Sequence, residues 1–100
     1  MHLRRRMPDE PRLKRVGTLF ALLADHQRLK ILLALKAGHE LYVGEIARVL
    51  DVTASVASHH LRKLRDLGIL ESRGEGKLAY YSLRERLLAD LAVAALARCQ

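Results

Sequence analysis

Two adjacent histidines, His59 and His60, sit in the segment VTASVASHHLRKLRDLGIL, residues 52–70. Imidazoles in that setting can ligate a metal, contact a nucleic acid, or lie on a helix surface. Neighbours on an α-helix point about 100° apart, so the pair does not readily chelate one ion. For the same reason Ser58 and His59 do not form a nucleophile–base dyad. The other candidate ligands, His2, His26, His39 and Cys99, are scattered along the chain. No HExxH and no glycine-rich phosphate loop occurs, so an enzyme finds little support. Cys99 is the single cysteine. It excludes an intrachain disulfide and leaves an intersubunit disulfide, a small adduct or an inert thiol.

The charge points to a different chemistry. Lysine and arginine number 18 against 11 acids, a net charge of +7 in 100 residues. Such an excess suits a polyanionic partner, most often nucleic acid, sometimes a membrane surface. Half the residues are hydrophobic, yet aromatics are limited to three tyrosines and one phenylalanine. An aliphatic core of this kind suits packed helices. The length fits one domain. No apolar run approaches the roughly 20 residues of a membrane span, and no signal-type apolar core follows MHLRRRMPDEP. A cytoplasmic protein is expected.

The elements that must position these groups follow from periodicity. Residues 1–11, with Arg4, Arg5, Arg6, Pro8 and Pro11, are expected to be a flexible basic arm. Residues 12–100 are expected to form a single domain. Val16, Leu19, Phe20 and Leu23 make one apolar stripe of a first helix. Asp25 is the expected N-cap of a second, with Leu29, Leu32, Leu33 and Leu35 on its apolar face and Gly38 as its left-handed stop. A third helix is predicted over Val43–Leu50, with Ile46, Ala47 and Leu50 inward. Thr53 is the expected N-cap of a fourth, over residues 54–67, ended by Gly68. ILESRGEGKLAYYSL then reads as two strands around a turn at residues 74–76. From about Arg84 the chain is again helical. LLADLAVAALA is apolar on nearly every side, which predicts a subunit interface.

The third and fourth helices, joined by a short turn, form a helix-turn-helix. Asp51 occupies the turn, where a left-handed conformation is needed that aspartate tolerates. Val52, Val56 and Leu61 are expected to close the corner. Wound at about 3.6 residues per turn, the fourth helix turns Ala57, Leu61 and Leu64 inward. Ser55, His59, Arg62, Lys63 and Asp66 face outward, with Ser58 at one boundary and His60 at the other. Short polar groups near the N-terminus let backbone approach base edges, and cations further along neutralise phosphates. Arg73 and Lys77 flank the hairpin tip, where they could reach a neighbouring groove. A solvated helix face and a plain surface hairpin are the bland alternatives.

LFALLADHQRLKILLAL, ELYVGEIARVL, VTASVASHHLRKLRDLGIL and EGKLAYYSL together resemble the ArsR/SmtB winged-helix repressors, especially the cadmium- and lead-sensing branch. The likeness covers about residues 19–83 and extends in order into the last helix. It implies a mainly α fold: helices one to four, a two-stranded wing and a C-terminal dimerisation helix. It implies a homodimer joined through the first and last helices, at Val16, Leu19, Phe20, Leu87, Leu91, Ala94 and Ala95. It also implies operator DNA as partner, with repression relieved by an inducer. The DNA contacts it implies are Thr53, Ser55, Ser58, His59 and Arg62, with Arg73 and Lys77 in the wing; Lys63 joins them from the basic face.

The metal sites implied by that branch are not retained. Tyr42 and Gly44 stand at its two cysteine positions, so the soft-metal thiolates are missing. The site on the last helix is represented by Glu85, Leu87 and Arg98, which leaves one possible ligand and adds a cation. No standard zinc, cadmium or arsenite site is expected and the effector is unassigned; a non-standard site would draw on His2 or Cys99. The sequence thus points to a DNA-binding repressor. The competing readings are a metal-responsive repressor with a non-standard site and a winged helix whose exposed face binds protein.

Overall fold

The structure is a computed structural model describing residues 2–99. It runs α1 (Leu3–Arg6), α2 (Glu10–Leu23), α3 (His26–Gly38), β1 (Glu40–Tyr42), α4 (Val43–Leu50), α5 (Ala54–Asp66), β2 (Leu70–Glu75), β3 (Leu78–Leu83) and α6 (Leu87–Leu96). The segment expected as an arm over residues 1–11 is partly helical. Leu3–Arg6 form one turn, and α2 starts at Glu10. The cause is local. The Asp9 carboxylate accepts the Arg12 backbone N–H at 3.2 Å, and Pro11 falls in the first turn, where its missing N–H costs nothing.

The break between α2 and α3 is set by Asp25. Its backbone is extended, and its Oδ1 accepts the N–H groups of Gln27 and Arg28 at 2.9 and 3.2 Å. The end of α3 differs from expectation. Gly38 remains helical, and the left-handed residue is His39, with φ 67°. Gly38 answers a different need, because a Cβ there would lie 3.0 Å from the Leu41 side chain.

The expected two-stranded hairpin forms from β2 and β3, and the short β1 joins it in a three-stranded sheet of order β1-β3-β2. Tyr42 on β1 pairs with Tyr80 and Glu40 with Ser82, so β3 is central and antiparallel to both neighbours. The tip is the two-residue loop Gly76-Lys77 between Glu75 and Leu78. Gly76 has φ 61°, which suits the first loop position of a tight hairpin. Gly74 lies in the strand opposite Ala79 rather than in the turn.

The core joins α3, α4, α5 and the sheet. Ile31, Leu32, Leu35, Ile46, Leu50, Ala57, Leu61, Leu64, Leu70 and Tyr81 are buried there. Val56 does not close the helix-turn-helix corner; it faces solvent. The last helix starts at Leu87, later than Arg84, because the Arg84 N–H still donates to the Ile69 carbonyl at 3.0 Å. Ala89 is buried in the core, and Lys36 Nζ on α3 meets Asp90 Oδ1 at 2.5 Å. Leu88 packs against that core, half-buried, while Leu87, Leu91, Val93 and Leu96 are exposed. Among the described residues, no helix is long and apolar enough to cross a membrane.

Candidate nucleic-acid interface

Both helices of the helix-turn-helix end in the same way. Val52 N–H donates to Ala47 O and Asp51 N–H to Arg48 O, with Asp51 left-handed at φ 56°. Ile69 N–H donates to Leu64 O and Gly68 N–H to Arg65 O, with Gly68 at φ 77°. These are paired closures of the Schellman type, which satisfy terminal carbonyls and redirect the chain sharply. The start of α5 is equally fixed, since Thr53 Oγ1 accepts the Val56 N–H at 3.2 Å. Its orientation is therefore set at both ends and by Ala57, Leu61 and Leu64 beneath, none of which is exposed.

The face so presented carries Thr53, Ser55, His59, Arg62, Lys63 and Asp66, all exposed, with Ser58 half-buried at its edge. Arg62 and Lys63 have no acidic partner among the described residues, whereas Arg65 lies 3.6 Å from Asp66. Two uncommitted cations behind a row of short polar groups can meet phosphate while backbone approaches bases.

The two histidines part company. His59 is exposed, while His60 is half-buried. His60 Nδ1 accepts the Arg28 Nε–H at 3.2 Å, and Arg28 Nη1 also donates to the Leu22 carbonyl at 3.0 Å. Burial holds the His60 pKa below its ordinary value of 6.5; the Asp25 charge opposes this, and Arg28, His59 and Lys63 reinforce it. Neutral His60 thus serves as a bracket between α3 and α5. Arg28 is the partner that sequence reading missed, lying 32 residues away with no local signal.

The two wing cations also differ. Lys77 sits exposed at the tip without an ion pair among the described residues. Arg73 is held by Glu40, at 2.8 Å, and Glu75, at 2.6 Å. Its guanidinium stacks 4.9 Å from the Tyr80 ring centroid. Of the residues expected at a subunit interface, Phe20, Leu91 and Ala95 share one groove, whereas Val16 and Leu19 lie beside Leu67. Val16, Phe20, Leu87, Leu91, Ala94 and Ala95 are exposed and Leu19 half-buried. Phe20, Leu29, Leu88, Leu91 and Ala95 help line an apolar groove between α2, α3 and α6.

The profile of the family described as "Bacterial regulatory protein, arsR family" matches residues 25–72, from the cap of α3 into β2. The transcriptional repressor BigR from Xylella fastidiosa superposes with a TM-score of 0.78 at 31% identity, covering 91% of this chain and 92% of that one. The chain belongs to the ArsR family. A cadmium resistance transcriptional regulatory protein, CadC, from Listeria innocua is 40% identical over 76 residues, 76% of this chain. The chain spans 64% of that relative's length. A possible ArsR-family regulator from Mycobacterium bovis, solved in solution as a homodimeric winged helix-turn-helix DNA-binding domain, gives a TM-score of 0.73 at 29% identity, over 91% of this chain and 85% of that one. The winged helix-turn-helix fold expected from the ArsR-type motifs is thus established.

A metal site of the ArsR sensor kind does not fit the residues present. The Tyr42 ring lies over Gly44, where a Cβ would come within 2.7 Å of the Tyr42 Cε2. The Tyr42 hydroxyl accepts from Arg48 Nη2 at 3.2 Å, so a cation there would meet a guanidinium. Among the described residues, no three His, Cys, Asp or Glu side chains are grouped to hold an ion. Glu85 and Arg98 are exposed at opposite ends of α6. His2 and Cys99 are exposed near the two chain ends.

Proposed function

We propose that the chain is a homodimeric, sequence-specific DNA-binding transcriptional repressor. The observation that carries this reading is the outward face of α5, where Ser55, His59, Arg62 and Lys63 lie exposed on a helix capped by Thr53. Major-groove B-DNA admits such a helix; the deep, narrow major groove of A-form RNA does not. Thr53, Ser55, Ser58 and His59 take the base edges and nearby sugar–phosphate, Arg62 and Lys63 the backbone. Lys77 reaches flanking phosphate from the wing tip. The dimer forms through α2 and α6, which leave Val16, Phe20, Leu87 and Leu91 uncovered; the homodimeric Mycobacterium relative supports it. Binding to chromosomal DNA places the protein in the cytoplasm.

The effector is not a metal held at the sensor family's thiolate positions, because Tyr42 and Gly44 offer no thiolate. A small molecule or redox agent releases the DNA instead; the second reading is a metal held at a non-standard site that draws on His2 or Cys99. The test is fluorescence anisotropy on duplex DNA from the gene's own upstream region, with increasing salt. Wild-type protein is expected to bind with a steep salt dependence. Arg62→Ala should weaken binding and flatten the slope by roughly 0.9 per lost phosphate contact. Unchanged affinity in that variant would remove α5 as the reading helix. The same titration with zinc, cadmium, nickel and copper should leave binding unaltered; severalfold release by one metal, reversed by a chelator, would establish a non-standard site.

A further inference from the structure

The outer face of the wing carries an arrangement that the DNA-binding reading does not use. Arg73 on β2 pairs across the sheet with Tyr80 on the central strand, and Tyr80 pairs with Tyr42 on β1. These three therefore share one face. The two tyrosine rings meet edge-on with centroids 6.0 Å apart. The Arg73 guanidinium lies over the Tyr80 ring and reaches diagonally past it to Glu40. Nη2 donates to Glu40 Oε1 at 2.8 Å and Nε to Glu40 Oε2 at 3.3 Å, a two-pronged contact. Nη1 donates to Glu75 Oε2 at 2.6 Å. All three guanidinium nitrogens are thus engaged by carboxylates before any DNA arrives. Lys77, at the adjacent tip, has no such acid among the described residues.

A pair of this geometry is strong for a surface contact because it is planar and two-pronged. It is also open: the Arg73 side chain keeps 52% of its exposure, Glu40 39% and Glu75 66%. Exposed ion pairs of this kind are worth little against water, so a polyanion can displace them. We propose that Glu40 and Glu75 compete with the DNA backbone for Arg73, making this arginine a withheld phosphate contact whose release strengthens the wing's grip. The proposal rests on the DNA-binding reading above. Glu40 lies two residues before Tyr42, which stands at the N-cap position of α4, and the Tyr42 N–H donates to Glu45 Oε1 at 3.1 Å. Arg73 is thus tied through Glu40 to the strand that leads directly into the helix-turn-helix. The carboxylates take the part of a negative determinant by capturing the cation that phosphate would otherwise meet.

The test compares single substitutions of equal charge change on the upstream duplex. Glu40→Gln removes the two-pronged acceptor. Glu71→Gln removes an exposed acid from β2, two residues from Arg73, that holds no ion pair among the described residues. Glu40→Gln is expected to bind severalfold tighter than Glu71→Gln at low salt, with a salt slope steeper by about 0.9, one phosphate. Adding Arg73→Ala should abolish that gain, and Arg73→Ala should cost more in the Glu40→Gln background than alone. Glu75→Gln should reproduce a smaller gain. Equal affinities of Glu40→Gln and Glu71→Gln, or a gain that survives Arg73→Ala, would overturn the withheld-contact proposal while leaving DNA binding in place. A wild-type chain that binds no duplex overturns both, so the two failures are distinguishable. The substituted side chains are exposed, and thermal melts of each variant confirm that the fold is retained.

Discussion

His60 illustrates how one proton can govern a contact between elements. Its Nδ1 lone pair is spent on the Arg28 Nε–H. Protonation removes that lone pair and places a second positive charge beside Arg28 and Lys63, with only Asp25 to offset it. Burial already holds the folded-state pKa below the ordinary 6.5. The folded state therefore binds fewer protons than the unfolded one, and stability rises with pH across this window. The contribution is complete above about pH 6.5 and is lost as pH falls through the folded-state value. Asp9, through Arg12, and Asp90, through Lys36, have pKa values below 3.8, and their share is lost only in stronger acid. The unfolding midpoint of wild-type protein should fall between about pH 7.5 and about pH 5, and His60→Gln should flatten that fall. Parallel profiles for the two proteins would mean that His60 is a passive surface group. His59, one residue earlier and exposed, has no such contact, which is why the pair does different work.

At the scale of the element, α5 depends on its first turn. Thr53 Oγ1 satisfies the Val56 N–H, and Ser55 and His59 project from the turns that follow. Thr53→Ala should cost about 1 kcal/mol of stability, read as a lower urea midpoint, and Thr53→Ser should restore most of it. DNA affinity should fall with the alanine variant as the reading end frays. Full stability in Thr53→Ala would show that packing of Ala57, Leu61 and Leu64 holds the helix without its cap. Elements of this sort were legible in the sequence because their signals are local. Asp25 and Thr53 cap as expected, α4 spans Val43–Leu50, and Asp51 adopts the left-handed turn. Other features depend on partners far along the chain. β1 is three residues with no alternation of its own, and it exists because β3 lies about forty residues on. The Glu40–Arg73 pair spans 33 residues and turns an apparent wing contact into a clamped one. The left-handed stop falls on His39 rather than Gly38, and the Leu41 side chain that crowds Gly38 is a contact no local rule contains.

At the scale of the whole molecule, the single chain is unfinished on one side. Val16 and Phe20 on α2 are 46% and 53% exposed, and Leu87 and Leu91 on α6 are 66% and 48% exposed. Only Ala89 of α6 is fully buried. Phe20 and Leu91 line one apolar groove between α2, α3 and α6, and exposed apolar surface of this kind marks an interaction site. A two-fold dimer covers the same patch on both copies at once. On the proposed DNA-binding reading it also sets two α5 helices at a fixed spacing, as two operator half-sites require. Leu91→Glu tests this directly. The substitution tolerates folding of the single chain, since the side chain is half in solvent, but it sets a carboxylate into the interface. Each dimer receives two such charges, and an unpaired buried charge costs several kcal/mol. Sedimentation should show at least about a hundredfold weaker association, with the helical signal retained. On that reading DNA affinity should drop with it, because each separated subunit would read one half-site without help from the other. A Leu91→Glu protein that still sediments as a dimer would move the interface away from α6, and α2, with Val16 and Phe20, would be the remaining surface to substitute.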